Sequence, residues 1–146
     1  MLEEELTGQI IKVFYKVYNA LGHGFLESIY HNAMILELVD QGLTVETEKP
    51  IAVYYSNRIV GSFSVDLLVH SKVMIELKAT DSIHPAHEAQ LTNYLRATEI
   101  EVGLLFNFGK KAEFKRKYFS NEKKQFTIEA ETLNSSLNRS ILENPF

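Results

Sequence analysis

The chain has 146 residues, of which 45% are hydrophobic and 23% charged, and it contains no cysteine. This length predicts one domain with a hydrophobic core, and the lack of cysteine excludes disulfides, thiolate metal sites and thiol nucleophiles. The formal net charge of −4 argues against a protein that coats nucleic acid by bulk electrostatic attraction. Since the first residues are acidic and no apolar run is long enough to span a membrane, we expect a soluble cytoplasmic protein.

The first half of the chain predicts two helices followed by strands. Residues 3–20 carry apolar side chains at helical spacing, and Gly22 and Gly24 end this helix. A second helix is predicted over 26–39. Four strands follow, with breaks at Pro50 and at Ser56-Asn57-Arg58; their predicted ranges are 43–48, 51–55, 59–70 and 73–79.

The second half of the chain predicts one helix and two strands. A helix begins near Ser82–His84, has Pro85 in its first turn and continues to about Ala97. The nearly continuous apolar run 101–108 is typical of a strand covered on both faces, and 112–119 is expected to be an edge strand. The whole order predicts an α/β domain over 1–119, built on one mixed sheet.

A C-terminal extension over 120–146 is expected to follow this domain. Its apolar periodicity is weak, although Phe126-Thr-Ile has the composition of a further short element. Residues 133–146 are polar, and we expect them to be loosely ordered.

Two acidic residues are predicted to meet in the central hairpin. If the strands around Ser71 pair, Asp66 falls opposite Glu76 or within one residue of it, and Lys78 shares a face with Glu76. Two carboxylates at cross-strand positions repel each other, and their burial in such apolar strands is costly. A hard, oxygen-liking cation such as Mg²⁺ removes that repulsion.

Helices supply further polar residues. Glu27 begins the second helix, and Tyr30 lies one turn later on the same face. Gln90 and Tyr94 are four residues apart on the third helix and also share a face.

These residues together resemble a known group of enzymes. Asp66 with Glu76-Leu77-Lys78 resembles the signature of the PD-(D/E)XK nuclease superfamily, with Val65 in place of the proline that precedes the aspartate. Gly24-x-x-Glu27-x-x-Tyr30 resembles the GxxExxY family within that superfamily. The resemblance covers about residues 5–119 and implies a restriction-endonuclease-like core, a central mixed sheet flanked by helices.

The resemblance also implies a role for each residue. Asp66 and Glu76 would hold Mg²⁺ or Mn²⁺, with the Leu77 carbonyl as a further ligand and Glu27 completing the site directly or through water. Lys78 would position or deprotonate the attacking water and stabilise charge on the phosphate. Gln90 and Tyr94 would orient the site or contact the nucleic-acid backbone. The implied activity is metal-dependent phosphodiester hydrolysis, with DNA favoured over RNA.

A dense basic stretch begins after the predicted strand 101–108 and continues into the predicted edge strand 112–119. It either forms a phosphate-binding rim beside the acidic site or carries lysines that keep an edge strand from aggregating. Its residues are Lys110, Lys111, Lys115, Arg116 and Lys117.

Two other functions stay open on the sequence. A module of the same fold could bind nucleic acid or a protein partner without turnover. Alternatively, the chain could be a structural homo-oligomer whose acidic residues are merely solvated. Glu76 and Lys78 would then lie on an exposed strand face, and the Glu27 carboxylate would only interact favourably with the helix dipole.

Overall fold

The computed structural model describes residues 3–124, and the predicted α/β domain with one mixed sheet is confirmed. The helices and strands, in chain order, are α1 (Glu4–Leu21), α2 (Glu27–Asp40), β1 (Val45–Tyr55), β2 (Arg58–Val69), β3 (Val73–Lys78), α3 (Pro85–Arg96), β4 (Val102–Phe108) and β5 (Ala112–Tyr118). A turn of 3₁₀ helix spans Asn121–Lys123. The element predicted at Phe126 and most of the predicted extension lie outside the described residues. None of the described helices is long and apolar enough to cross a membrane.

The five strands lie in the sheet in the same order as in the chain. All neighbours are antiparallel except β3 and β4, which are parallel and are connected through α3. Residues of α1 and α2 form the core on one face of the sheet, and residues of α3 form a smaller core on the other. Every residue of β4 is buried, which explains its nearly continuous apolar sequence.

A tight turn sets the register of the hairpin formed by β2 and β3. His70 and Ser71 both have a φ of 54°, and the Lys72 N–H donates to the Val69 carbonyl at 3.0 Å. This is a type I′ turn, whose twist matches that of paired antiparallel strands. It pairs Val69 with Val73 and Leu67 with Ile75, and this register places Asp66 opposite Glu76, one residue beyond the last pair.

The predicted break at Pro50 is wrong. Strand β1 continues through Pro50, which pairs with Ser64 of β2. Because β1 is an edge strand, the missing N–H of proline can face the open side without loss of a ladder hydrogen bond.

Candidate active site

The acidic pair lies where strands β2 and β3 separate. Their ladder ends at the Leu67–Ile75 pair, although β2 begins nine residues earlier at Arg58 and β3 runs on to Lys78. Within residues 3–124, the part of β2 before Asp66 pairs with β1, and Glu76–Lys78 pair with β4. The two carboxyl groups therefore lie at the base of an opening between two strands of one sheet.

Strand β2 also changes face at this point. Residues two apart in a strand normally share a face, yet Val65 packs in the α3 core and Leu67 packs in the α1–α2 core. The alternation of side chains along β2 is therefore broken between these two residues, at Asp66.

Side chains replace the missing backbone ladder between the two strands. The Asp66 N–H donates to Glu76 Oε1 at 3.2 Å, and the Leu77 N–H donates to Asp66 Oδ2 at 2.8 Å. The two carboxyl groups are themselves within hydrogen-bonding reach of each other. These reciprocal bonds fix the positions of the two carboxyl groups relative to each other.

Burial changes the acidity of this pair. Glu76 is only 7% exposed, and burial, followed by the Asp66 carboxylate, raises its pKa to about 8, although the Lys78 ammonium acts in the opposite direction. At neutral pH the pair therefore needs a proton or a cation. Two carboxylates form an all-oxygen set that suits Mg²⁺ or Mn²⁺, so the chemistry of these residues fits the metal that the sequence predicts.

The described structure does not assemble the full ligand set predicted from the sequence. Among residues 3–124, no group of three or more histidine, aspartate or glutamate side chains is close enough to hold a metal ion. Glu27 is exposed at the start of α2, and its carboxylate acts on the pKa of His87 rather than on that of Glu76. Leu77 contributes its N–H to Asp66, while its side chain is buried in the α1–α2 core.

The glycine and tyrosine of the predicted motif position the start of α2. The Tyr30 hydroxyl donates to the Gly22 carbonyl at 2.7 Å and accepts from the Phe25 N–H at 3.2 Å, while Gly24 has a φ of +105°, which favours glycine. The buried Tyr30 ring stacks on Phe108, with ring centroids 4.2 Å apart. Tyr30 therefore serves structure, and it fixes the connection from which Glu27 projects.

Helix α3 brings Tyr94 beside the acidic pair. Burial raises the pKa of Tyr94, and the carboxylates of Glu76 and Asp66 raise it further. Its ring lies parallel to that of Phe63 on β2, with centroids 3.8 Å apart. Gln90 is exposed one turn earlier on the same helix, and no bond to the carboxyl pair is found for it within residues 3–124. Tyr94 is thus brought to the pair, and a role for Gln90 stays a prediction.

Sequence reasoning missed a histidine that contacts the site. The Nε2 atom of His31 lies 3.3 Å from the Asp66 carbonyl oxygen. His31 is four residues after Glu27 and therefore lies on the same face of α2. The only signal in the sequence was this spacing.

An asparagine that supports the site was also missed. Asn107 is 0% exposed; its side chain accepts from the Thr80 N–H at 3.0 Å and donates to the Thr80 carbonyl at 3.0 Å. These bonds hold the chain two residues after Lys78, where it leaves β3 for α3. A polar residue inside the apolar run of β4 was the available signal.

The basic residues do not form one surface. Lys110 and Lys111 are exposed in the turn between β4 and β5, at the same end of the sheet as Lys78. Lys117 lies near the other end, and its ammonium is 2.7 Å from a Glu88 carboxylate oxygen. Side chains alternate along β5, so Arg116 faces away from Lys115 and Lys117. A single phosphate-binding rim made of all five residues remains a prediction, and this arrangement gives it little support.

Comparisons with known proteins agree with this fold. A family model of the PD-(D/E)XK nuclease superfamily matches residues 4–117. Among solved structures, the chain is similar to SSO0001, with 18% identity, a TM-score of 0.52 and coverage of 75% of this chain and 58% of that one. It is also similar to an alkaline exonuclease from Laribacter hongkongensis, with 10% identity, a TM-score of 0.50 and coverage of 98% and 84%.

These structural similarities concern the fold, because both identities are low. The chain spans 58% of the length of SSO0001. A comparison with curated protein sequences gives no match.

Proposed function

The chain belongs to the PD-(D/E)XK nuclease superfamily, and on that premise we propose that it is a divalent-metal-dependent nuclease that acts on DNA. The observation that carries the proposal is the pair formed by buried Glu76 and half-buried Asp66, held by reciprocal hydrogen bonds at the opening between β2 and β3, with Lys78 two residues after Glu76 on β3. Two carboxyl groups this close together in an apolar setting cost stability unless a proton or a cation offsets their charge.

Each residue of the site has a role in this proposal. Asp66 and Glu76 would hold Mg²⁺ or Mn²⁺, which supplies Lewis acidity at a phosphate oxygen and an acidified water when bound. The ammonium of Lys78 stabilises negative charge on the phosphate. Tyr94 flanks the pair from α3, and Asn107 keeps the backbone after Lys78 in place.

The finer assignment to the GxxExxY family is part of the proposal. It is supported by the different roles of the motif residues: Gly24 takes a positive φ, Tyr30 locks the connection, and Glu27 stays exposed at the first position of α2. The motif then serves to present Glu27 at the rim of the site.

Cleavage assays test the nuclease proposal. Purified protein is incubated with labelled single- and double-stranded DNA and RNA, with Mn²⁺ or with EDTA, and we expect Mn²⁺-dependent cleavage of DNA. Asp66→Asn and Lys78→Ala should each lower the rate by about 100-fold or more, since each removes an interaction with charge that develops in the transition state. Lys123→Ala removes an exposed lysine outside the site and should leave the rate unchanged. Full activity in Asp66→Asn and Lys78→Ala would refute the assignment.

A second candidate function is that of a binding module with the same fold and no catalytic activity. It is favoured by the lack of a third acidic or histidine partner for Asp66 and Glu76 within residues 3–124. A binding module of this kind would take up Mn²⁺ in a calorimetric titration and bind DNA, yet release no product with any of these substrates.

A further inference from the structure

We propose that His87 is a substrate-contacting residue of this site, and that its Nε2–H donates a hydrogen bond to a non-bridging oxygen of the phosphodiester. The inference rests on the proposed nuclease function and adds a residue that neither the superfamily signature nor the GxxExxY motif contains. It depends on where the ring proton of His87 lies and on which groups surround the ring.

The start of α3 determines the tautomer of His87. The His84 N–H donates to His87 Nδ1 at 3.3 Å, and the Ala86 N–H donates to His84 Nδ1 at 3.0 Å. His84 is the N-cap of the helix, and the two imidazoles form a reciprocal capping box. Because Nδ1 of His87 accepts a hydrogen bond, a neutral ring carries its proton on Nε2. That nitrogen is left as a donor directed away from the helix backbone.

The charged neighbours of His87 are residues of the site. The Lys78 ammonium on β3 and the Glu27 carboxylate on α2 both act electrostatically on its ring. His87 is half-buried, and Tyr94, seven residues later on the same face of α3, lies beside the acidic pair. His87 therefore lies on the face of α3 that carries Tyr94, within electrostatic range of Lys78 at the end of β3 and of Glu27 at the start of α2.

The same surroundings favour a neutral donor. Burial, Lys78 and His84 lower the pKa of His87, and Glu27 acts in the opposite direction but less strongly. A neutral ring beside Lys78 adds a directional hydrogen bond to the charge that the lysine supplies. Lys78 then offsets the charge of the phosphate, and His87 orients the phosphate.

Two substitutions distinguish the loss of the Nε2 donor from the loss of the hydrogen bond that caps the helix. In His87→Asn, the amide oxygen can replace Nδ1 as the acceptor for the His84 N–H, but the side chain ends short of Nε2. In His87→Gln, the amide nitrogen reaches the position of Nε2, and glutamine is an ordinary partner at this place in a capping box. His84→Asn is the matched control, because asparagine is a good N-cap and His87 is unchanged.

The measurements are turnover of a labelled DNA oligonucleotide with Mn²⁺ and the thermal midpoint of unfolding. We expect His87→Asn to lower kcat by about 10- to 100-fold, the usual effect of losing a hydrogen bond to a charged group, with an unchanged midpoint. His87→Gln should restore kcat to within about threefold of the wild type, and His84→Asn should match the wild type in both measurements.

Several results would overturn the inference. Wild-type activity in His87→Asn, or an equal loss in His87→Asn and His87→Gln, would exclude a donor at Nε2. If the wild-type protein cleaves nothing, the nuclease proposal fails separately, and the contact is then judged by fluorescence anisotropy with a labelled oligonucleotide in Ca²⁺. His87→Asn should weaken that binding by about 10-fold; equal binding by both proteins, or no binding by the wild type, overturns the inference.

Discussion

Replacing Glu76 with glutamine should stabilise the metal-free protein, and the gain should grow with pH. Glutamine keeps the oxygen that accepts from the Asp66 N–H and removes the negative charge. The pKa of Glu76 is raised from 4.5 to about 8 in the folded protein. Below pH 4.5 the carboxyl is protonated in both states, so the substitution changes little. Between pH 4.5 and 8 the folded state keeps a proton that the unfolded chain has released, and the free energy of unfolding therefore falls as pH rises.

The pKa change sets the size of the effect. A rise from 4.5 to about 8 corresponds to at most about 5 kcal/mol at 1.4 kcal/mol per tenfold change in acid strength. Water entry and relaxation at the opening between the strands reduce this value, and we expect a gain of about 2–3 kcal/mol at pH 8.5 and less than about 0.5 kcal/mol at pH 4.5. The measurement is urea unfolding in EDTA from pH 4.5 to 9, for the wild type and Glu76→Gln.

Glu122→Gln is the control for this experiment, because Glu122 is exposed and outside the site. Its free energy of unfolding should follow that of the wild type at every pH. Parallel pH curves for the wild type and Glu76→Gln would refute the reasoning, since they would mean that Glu76 is equally acidic in the folded and unfolded states.

Three further substitutions test other parts of the site. Saturating Mn²⁺ should raise the thermal midpoint of the wild type, because a ligand at 100 times its Kd adds about 2.7 kcal/mol, and Asp66→Asn should abolish the increase. Gly109→Ala should lower the free energy of unfolding by about 1–3 kcal/mol, measured with urea, because the new Cβ would lie 2.5 Å from the Thr80 carbonyl oxygen. Tyr30→Phe should cost about 1–2 kcal/mol in the same assay and lower nuclease activity, since it removes the bond to Gly22 and releases the connection before Glu27.

Matched variants accompany these three tests. Glu122→Gln should keep the full response to Mn²⁺. Gly61→Ala adds a Cβ into open space, and Tyr55→Phe removes a hydroxyl from a side chain that is 72% exposed; both should unfold like the wild type. A loss in Gly61→Ala or Tyr55→Phe as large as in its partner would show that the site contacts are not the cause, and an Mn²⁺ response in Asp66→Asn would exclude Asp66 as a ligand.

Much of the architecture could be predicted because its signals are local. The hairpin that joins Asp66 to Glu76 follows from strand alternation and a short turn, and both are readable within a few residues. The break predicted at Pro50 shows the limit of such reading. Proline is compatible with a strand only when its nitrogen faces an open edge, and the position of a strand within a sheet is not a local property.

The residues that support the site could not be predicted from the sequence in the same way. Asn107 stands 27 residues after Thr80, and His31 stands 35 residues before Asp66. Spacing gives the face of a helix on which a residue lies, but it does not give the strand that the helix crosses. The contact of His31 depends on that crossing, and the bonds of Asn107 to Thr80 depend on the pairing of β3 with β4.

Apart from the break at Pro50, the sequence by itself determined the elements, the register of the β2–β3 hairpin and the pairing of Asp66 with Glu76, because these follow from periodicities and turn chemistry within short stretches. Only the tertiary structure decided that Glu27, Asp66 and Glu76 form no three-residue cluster among residues 3–124, and that His31 reaches the Asp66 carbonyl oxygen. The physical reason is that helix packing on a twisted sheet brings together side chains from segments far apart in the chain, and such contacts cannot be predicted from the local sequence of either segment.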